Sequence, residues 1–395
     1  MNRLEADAEI VAFTKGGRDT RSQQMLRGEE TPLDFFYGFS ELEKAGFSAA
    51  MLSSGGAVPG LAGALAHRAE SAIAGLMRVG FRPLSARMRL AALRRAKVII
   101  SYTDGFSLSL GLGVPRSKER PILIGGFHGL SEIESTTPNV LKPLVRALIG
   151  RALAGLDHVF CFGAADRAYA IRQYGIAPER FSLFTHGIDA GFWRPLPNEP
   201  VSDFVAAVGQ DPSRNFELLA RAPGRYPTVI VTRLDVRVPP GADHVRVIAG
   251  DFYGAGTMSD QDLRRLYNQA RAVVVPVKDT HQQSGYSVTI QAMCCGRPVI
   301  VTRTKGLWWP ELMRDGENCL LVPPGDAEAL GAAIGRIYND SGLAVRLGRA
   351  ARETAVAHFN LDKNREGTLG LAGIGQSLWR QREAAASISA PAARL

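Results

Sequence analysis

Residues 281–330, which open HQQSGYSVTIQAMCCGRPVIV, hold the side chains best spaced for chemistry. From Tyr286 to Cys295 the pattern reads as a helix, with Ser284 or Gly285 at its start and Gly296 as its stop. A helix opening on Ser-Gly offers backbone N–H groups that have no partner inside the helix. It also offers the positive end of the helix dipole, and the two together favour a phosphate. Gln283 stands just before this helix. Gln291 lies on it, one turn beyond Ser287 on the same face, so its side chain aims back toward the loop at the helix start. Arg233 follows the apolar run Thr228–Thr232, and Arg303 and Lys305 follow Pro298–Thr302. Cations at these strand ends suit an anionic ligand. They are equally ordinary as solvated surface groups. His128 and Gly129 follow the run Pro121–Gly125. A lone histidine there is as readily structural as functional.

The elements that must hold these residues alternate between strand and helix. Strands are expected at Glu9–Phe13, Phe47–Leu52, Lys97–Tyr102, Pro121–Gly125 and His158–Phe162. A Pro-rich stretch, Pro195 to Pro200, then reads as a linker. The pattern restarts at Phe204–Val208, closed by Gly209, and continues with Thr228–Thr232, Val245–Ile248, Ala272–Pro276 and Pro298–Thr302. Their apolar residues run continuously, as parallel strands covered on both faces require. The fold class is therefore α/β, two Rossmann-like domains facing a central cleft. The expected boundaries are an N-terminal domain over 1–195 and a C-terminal domain over 196–365. A helix over 366–383 would cross back to the first domain, and 384–395 (AAASISAPAARL) reads as a disordered tail.

Composition narrows the partners. The 395 residues carry a net charge of +9, and the basic residues are mostly Arg spread along the chain. No basic motif with interleaved aromatics appears, so nucleic acid is not expected as a partner. Residues 60–95 are apolar with regularly placed Arg and few acids. An anionic membrane surface therefore stays open as a partner, beside the plainer reading of two helices with one buried face. Cys161, Cys294, Cys295 and Cys319 form no CxxC pair, sit in apolar runs and read as reduced packing residues. The opening MNRLEADAEIVAF lacks a leader layout, and no apolar run reaches the roughly 18 residues of a membrane span. The expected location is cytoplasmic, with a peripheral place at the inner face of the cell membrane left open.

The segment Gln283-Ser284-Gly285-Tyr286 through Gln291-Ala292-Met293 to Gly296-Arg297-Pro298-Val299 resembles the retaining glycosyltransferases of family four. Their donor motif is E-x7-E within a stretch like E-S-F-G-L-x-x-x-E-A-M-A-x-G-x-P-V. Gly306, Glu311, Asp315-Gly316 and Leu321-Val322-Pro323-Pro324-Gly325-Asp326 follow the same pattern, as does GIAPERFSLFTHGIDAGFWRP upstream. The resemblance covers most of 157–360 and implies the GT-B fold with a nucleoside diphosphate sugar as donor. It implies donor contacts from Gly209, Arg214, Arg233, Ser284, Gly285, Tyr286, Ser287 and Gln291. A family segment Gly-Arg-(x)n-Lys-Gly corresponds to Val208–Phe216, where Arg214 is the candidate for the diphosphate, since a guanidinium clamps two phosphate oxygens. Catalytic roles are implied for His128, Gln283 and Arg214, and cleft roles for Gly16, Gly17 and Asp104. Asp34, Phe36, Tyr37 and Gly38 resemble a family helix near the acceptor.

The departures are as informative. Both glutamates of the motif are Gln here. At Gln291 an amide oxygen remains to bind a ribose diol, whereas at Gln283 a charge near the donor sugar is missing. The acceptor is a hydroxyl on a glycan, a lipid-linked carrier or a small molecule. No cofactor beyond the donor is expected, and no metal, because no Asp-x-Asp pair falls in a suitable loop. The alternative is a non-catalytic protein that binds nucleotide sugars or a partner on the same scaffold. An epimerase or a phosphorylase of that architecture is a third reading, the first disfavoured by Pro323–Asp326 and His186–Asp189, the second because no Lys has an evident context for pyridoxal phosphate.

Overall fold

A computed structural model of the chain describes residues 7–16, 18–55, 60–77, 80–93, 95–135, 137–250 and 258–388. The chain divides into two compact units, one made of Met1–Arg18, Gly38–Phe184 and Arg365–Leu395, the other of Asp19–Tyr37 and Thr185–Asn364.

The first unit is built on six strands, β1 (Ile10–Thr14), β2 (Ala49–Ser53), β3 (Val98–Ser101), β4 (Ile122–Phe127), β5 (His158–Cys161) and β6 (Phe181–Leu183). All are parallel, in the order β2-β1-β3-β4-β5-β6. The helices up to this point are α1 (Arg18–Leu26), α2 (Ser40–Lys44), α3 (Leu61–Met77), α4 (Pro83–Ala91), α5 (Asp104–Gly113), α6 (Leu130–Ile133), α7 (Lys142–Gly155) and α8 (Ala164–Tyr174). Strands β1, β3, β4 and β5 are buried along their whole length, as continuous apolar runs demand. Helices α5 and α7 cross at glycines: a Cβ on Gly111 would lie 2.0 Å from the Ala152 carbonyl oxygen, and one on Gly155 equally close to the Gly111 oxygen. Only a bare backbone fits there, and that contact fixes α5, the helix that carries Asp104.

The second unit has β7 (Val205–Val208), β8 (Thr228–Thr232), β9 (Val245–Ala249), β10 (Ala272–Val275), β11 (Val299–Thr302) and β12 (Leu320–Val322). These are again parallel, ordered β12-β11-β10-β7-β8-β9. Its helices are α9 (Phe216–Arg221), α10 (Asp260–Gln269), α11 (Tyr286–Cys294), α12 (Ala327–Asn339) and α13 (Ser341–His358), followed by α14 (Leu361–Ile388). Counted from β7, the order is that of a dinucleotide-binding sheet. It reverses between β7 and β10, where ligands of open parallel sheets bind. In the first unit the corresponding reversal falls between β1 and β3.

The units depart from the expected boundaries in three places. The second begins at Thr185 rather than after Pro195. The reason is burial: Ile188, Phe192 and Trp193 lie in its core, and the Leu196 N–H donates to Asn268 Oδ1. Residues 19–37 also belong to it. Arg21 donates twice to Asp260 at 2.8 Å, Glu30 accepts from Arg264, and Asp34 Oδ1 accepts from the Trp193 indole. Finally, α14 continues through 384–388, where a tail was expected, and 389–395 lie outside the described residues. From Arg365 onward that helix belongs to the first unit. No helix among the described residues is long and apolar enough to cross a membrane.

Candidate functional site: a buried arginine at the β7–β10 switch point

Where the second sheet reverses, the loop after β7 and the loop after β10 are stitched together. Arg214 forms an antiparallel bridge with Val277, the Asn215 N–H donates to the Pro276 carbonyl, and the Lys278 N–H donates to that of Ser213. Asp211 holds both loops: Oδ1 accepts from the Ser213 N–H and hydroxyl, and Oδ2 accepts from Gln282 Nε2 at 3.1 Å. This scaffold carries Arg214 into the interior, where it is only 6% exposed.

Glycines make room for it. A Cβ on Gly209 would come within 2.6 Å of Arg214 Nε, and one on Gly285 within 3.0 Å of Nη1. Gly285 also has φ of 88°, the left-handed region that glycine adopts without strain. The guanidinium thus lies against two bare backbones, one of them the cap of α11. Its Nε and Nη1 have no hydrogen-bond partner, and neither do the buried Ser284 hydroxyl, the Gln283 amide oxygen or the Gln210 amide oxygen. Burial pushes the Arg214 pKa down, and Asp211 pulls it back up. A buried guanidinium with unused donors calls for an anion, because an unpaired buried charge is costly. The first N–H groups of α11 open beside it, with no side-chain cap at Gly285.

Each expected donor residue has a definite place. Gly209, Arg214, Ser284 and Gly285 are brought together here, and half-buried Ser287 lies in the first turn of α11. Tyr286 turns inward. Its ring is buried and its hydroxyl donates to the His186 carbonyl, so what it offers a ligand is its backbone N–H. Gln291 is likewise buried, and its amide oxygen accepts from the Tyr267 hydroxyl at 3.3 Å. The oxygen expected to face a ribose diol thus accepts from a residue of α10. Arg233 is exposed after β8. Thr232 is buried, its hydroxyl accepting from the Leu234 N–H, and Lys305 pairs with Asp279 at 2.9 Å. Residues that the sequence reasoning passed over include Gln210, Asp211, Gln282 and Tyr267. The first three flank Arg214 or Gln283 in polar loops at strand ends, which was the available signal.

The first unit's switch point is organised differently. Gly16 follows β1, and Gly17 lies outside the described residues. Asp104 opens α5, and its Oδ1 accepts from the backbone N–H of His128 at 3.0 Å and of Gly129 at 3.1 Å. The His128 ring stacks on Phe162 with centroids 4.0 Å apart, and Nε2 lies 3.0 Å from the Tyr102 carbonyl, which can only accept. His128 Nε2 therefore carries a proton and gives it to the backbone. Asp166 on α8, also passed over, accepts from the Leu130 and Ser131 N–H groups at 3.0 and 2.8 Å. Burial lifts its carboxyl to about 6. Asp34, Phe36 and Tyr37 belong to the second unit. All four cysteines are buried and free, their thiols pushed up chiefly by burial. Among the described residues no cluster of His, Cys, Asp and Glu could hold a metal ion.

Known proteins resemble the chain over parts of its length. Residues 239–340 match the family described as Glycosyl transferases group 1. The MMP alpha-(1->4)-mannosyltransferase of Mycolicibacterium hassiacum is 25% identical, over 55% of this chain and 56% of that protein. The D-inositol 3-phosphate glycosyltransferase of Saccharomonospora viridis is 37% identical, over 59% and 60%. The chain thus spans about three fifths of the length of the curated relatives it matches. Among solved structures, the Anabaena protein HepE in complex with UDP-glucose superposes with a TM-score of 0.64, covering 94% of this chain and all of that one at 14% identity. Two parallel six-stranded sheets with this likeness make the fold GT-B. The likeness to the Glycosyl transferases group 1 family is thus confined to residues 239–340, and the two relatives are by name a mannosyltransferase and a glycosyltransferase.

Proposed function

We propose that the protein is a retaining glycosyltransferase that moves a sugar from a nucleoside diphosphate sugar to an acceptor hydroxyl on a glycan, a lipid-linked carrier or a small molecule. The observation that carries this reading is the Arg214 guanidinium, buried between Gly209 and Gly285 with unused donors aimed at the start of α11. The diphosphate of the donor meets that need. As the bond from the sugar's anomeric carbon to the diphosphate oxygen breaks, its electron pair moves onto the diphosphate. Arg214, the Ser284 hydroxyl and the α11 N–H groups are placed to stabilise the growing charge. The acceptor oxygen bonds to the anomeric carbon from the face the leaving group vacates, and its proton passes to the departing diphosphate. No side-chain base and no metal takes part in this scheme. Gln283 would contact the donor sugar through its amide, and His128 would line the acceptor side of the transferred sugar. The acceptor falls to the first unit. A lipid-linked acceptor would place the protein at the inner face of the cell membrane as a peripheral protein.

The test is direct. Thermal unfolding is followed with UDP and with a panel of nucleotide sugars, and release of nucleoside diphosphate is measured with candidate acceptors. A rise in melting temperature together with sugar-dependent release is expected. Stabilisation without release over the panel would leave a nucleotide-sugar-binding protein. No stabilisation by any nucleotide would remove the donor site from the Arg214 pocket.

A further inference from the structure

Helix α3 in the first unit is amphipathic the wrong way round for a soluble surface. Its inward stripe contains Gly63, Glu70 and Ala74, whereas Leu61, Leu65, Ile73 and Leu76 are exposed to 79%, 58%, 54% and 70%. Ala62, Ala64, Ala69, Ala72 and Gly75 fill the spaces between these leucines, and Arg68 is the one charged side chain on that face. Exposed leucines and isoleucine along four turns of one helix form the kind of patch that monomeric soluble proteins rarely leave uncovered. On α4, Leu84 continues it, 55% exposed, and Arg87 is exposed as well.

The charged side chains shown exposed with the patch, Arg68 and Arg87, are both cations. Of the eight lysines and arginines in residues 60–97, Arg95 pairs with Asp7 and Lys97 with Glu9, and the stretch holds a single acid, Glu70. That acid is consumed internally, accepting from the Leu84 N–H at 2.6 Å, the Ser85 N–H at 3.1 Å and the Ser85 hydroxyl at 2.6 Å. Glu70 thereby caps α4 and locks it beside α3, so the apolar face and its arginines form one rigid piece. We propose that this face of α3, with Arg68 and the start of α4, is a docking surface for an anionic lipid bilayer.

The geometry favours lipid over a second copy of the chain. Arg68 lies midway between Leu61 and Leu76, so a two-fold pairing of α3 with itself would set Arg68 against its own counterpart with no acid to separate them. Anionic headgroups meet the same arginines favourably while the leucines enter the acyl boundary. At 17 residues α3 lies in the interface rather than spanning it. This inference shares with the proposed transfer only the lipid-linked acceptor. Vesicle binding is read without donor or turnover.

The experiment is co-sedimentation of the full chain with vesicles of phosphatidylcholine alone and of phosphatidylcholine with phosphatidylglycerol, at low and high salt. Binding to the anionic vesicles that weakens with salt is expected. Two variants should each reduce it about tenfold or more: the triple change Leu61→Gln, Leu65→Gln, Leu76→Gln, and the pair Arg68→Glu, Arg87→Glu. The stabilisation of the second unit by UDP should be the same in all three proteins. Absence of binding by the wild type overturns the proposal, as does undiminished binding by the triple variant at an unchanged melting temperature. So does a wild type that is dimeric without lipid and becomes monomeric in the triple variant, since the patch then serves self-association. Should the triple variant misfold, the arginine pair, at exposed positions, decides alone.

Discussion

The two sheets reverse their strand order at comparable points, and the polar side chains there are used in opposite ways. At the β1–β3 reversal the described carboxylates and the histidine are spent on the backbone, and only two hydroxyls, of Thr103 and Ser131, are buried without a partner. Asp104 holds the N–H groups of His128 and Gly129, Asp166 holds those of Leu130 and Ser131, and His128 donates to Tyr102. At the β7–β10 reversal two guanidinium nitrogens, a hydroxyl and two amide oxygens are buried with nothing to bond. Saturated polar groups define a rigid loop, whereas unsatisfied ones store a demand that a ligand can meet. The contrast teaches that a donor site is identified less by which residues occupy strand ends than by which of them are left unsatisfied.

The sharpest way to break this contrast is Arg214→Ala. If the guanidinium meets a diphosphate, turnover falls by roughly a hundredfold or more, and stabilisation by UDP disappears. The melting temperature of the ligand-free protein should hold or rise, because a buried cation with unused donors is removed. Unchanged kinetics, or a collapse of the fold, would make Arg214 a structural residue. A smaller effect is expected from Gly285→Ala. Its Cβ would lie 2.4 Å from Val275 Cγ1 and 3.0 Å from Arg214 Nη1, at a φ of 88°. We expect a loss of about 1–3 kcal/mol in urea unfolding and donor binding weakened about tenfold. A fully active Gly285→Ala would mean that the α11 start does not touch the ligand.

Much of this was legible in the sequence because it is local. Ten of the twelve described strands are legible as apolar runs, interrupted by Arg246 in β9, and the Ser284–Gly285 start of α11 follows from helix-capping chemistry. The two missed strands, β6 and β12, are three residues long and stand at sheet edges, too short to show a period. What could not be read is what depends on distant pairing. Residues 19–37 join the second unit through contacts such as Arg21–Asp260, 239 positions apart, which no local pattern records. The same holds for Gln291: its place one turn below Ser287 is local, but the Tyr267 hydroxyl that takes its oxygen comes from another helix. The isolation of Arg214 is also non-local, since it arises from Gly209 and Gly285 lying against it from two separate loops.

The saturated side of the comparison makes its own prediction. Asp104→Ala leaves the His128 and Gly129 N–H groups without their acceptor, at a cost of about 2 kcal/mol in stability. Stabilisation by UDP should be unaffected, because that demand lies in the other sheet. Loss of the UDP effect in a folded Asp104→Ala protein would erase the distinction between the two switch points.

The smallest effect concerns the segment that joins the second unit from the N-terminal side. Asp34 is fully buried, and its carboxyl is lifted from 3.8 to about 7, first by burial and then by the charges of Asp189 and Asp260. Its Oδ1 accepts from the Trp193 indole at 3.2 Å, while Oδ2 has no partner. A folded-state pKa above the unfolded one means that the native protein keeps a proton the unfolded chain releases. Stability attributable to this group is therefore highest below about 4, falls as the pH rises toward 7, and levels off above that. Burial holds the His158 imidazole of the first unit near 4, which gives the opposite slope over part of the same window. The wild-type curve alone will not isolate Asp34. The difference between Asp34→Asn and wild type does, because His158 contributes equally to both. The amide keeps an oxygen for Trp193 and has no charge to lose. Its advantage in urea unfolding should thus be small at pH 4 and reach about 3–4 kcal/mol by pH 7. A difference independent of pH would show that Asp34 is ionised throughout, and that the strap over residues 19–37 holds a charge in the interior of the second unit.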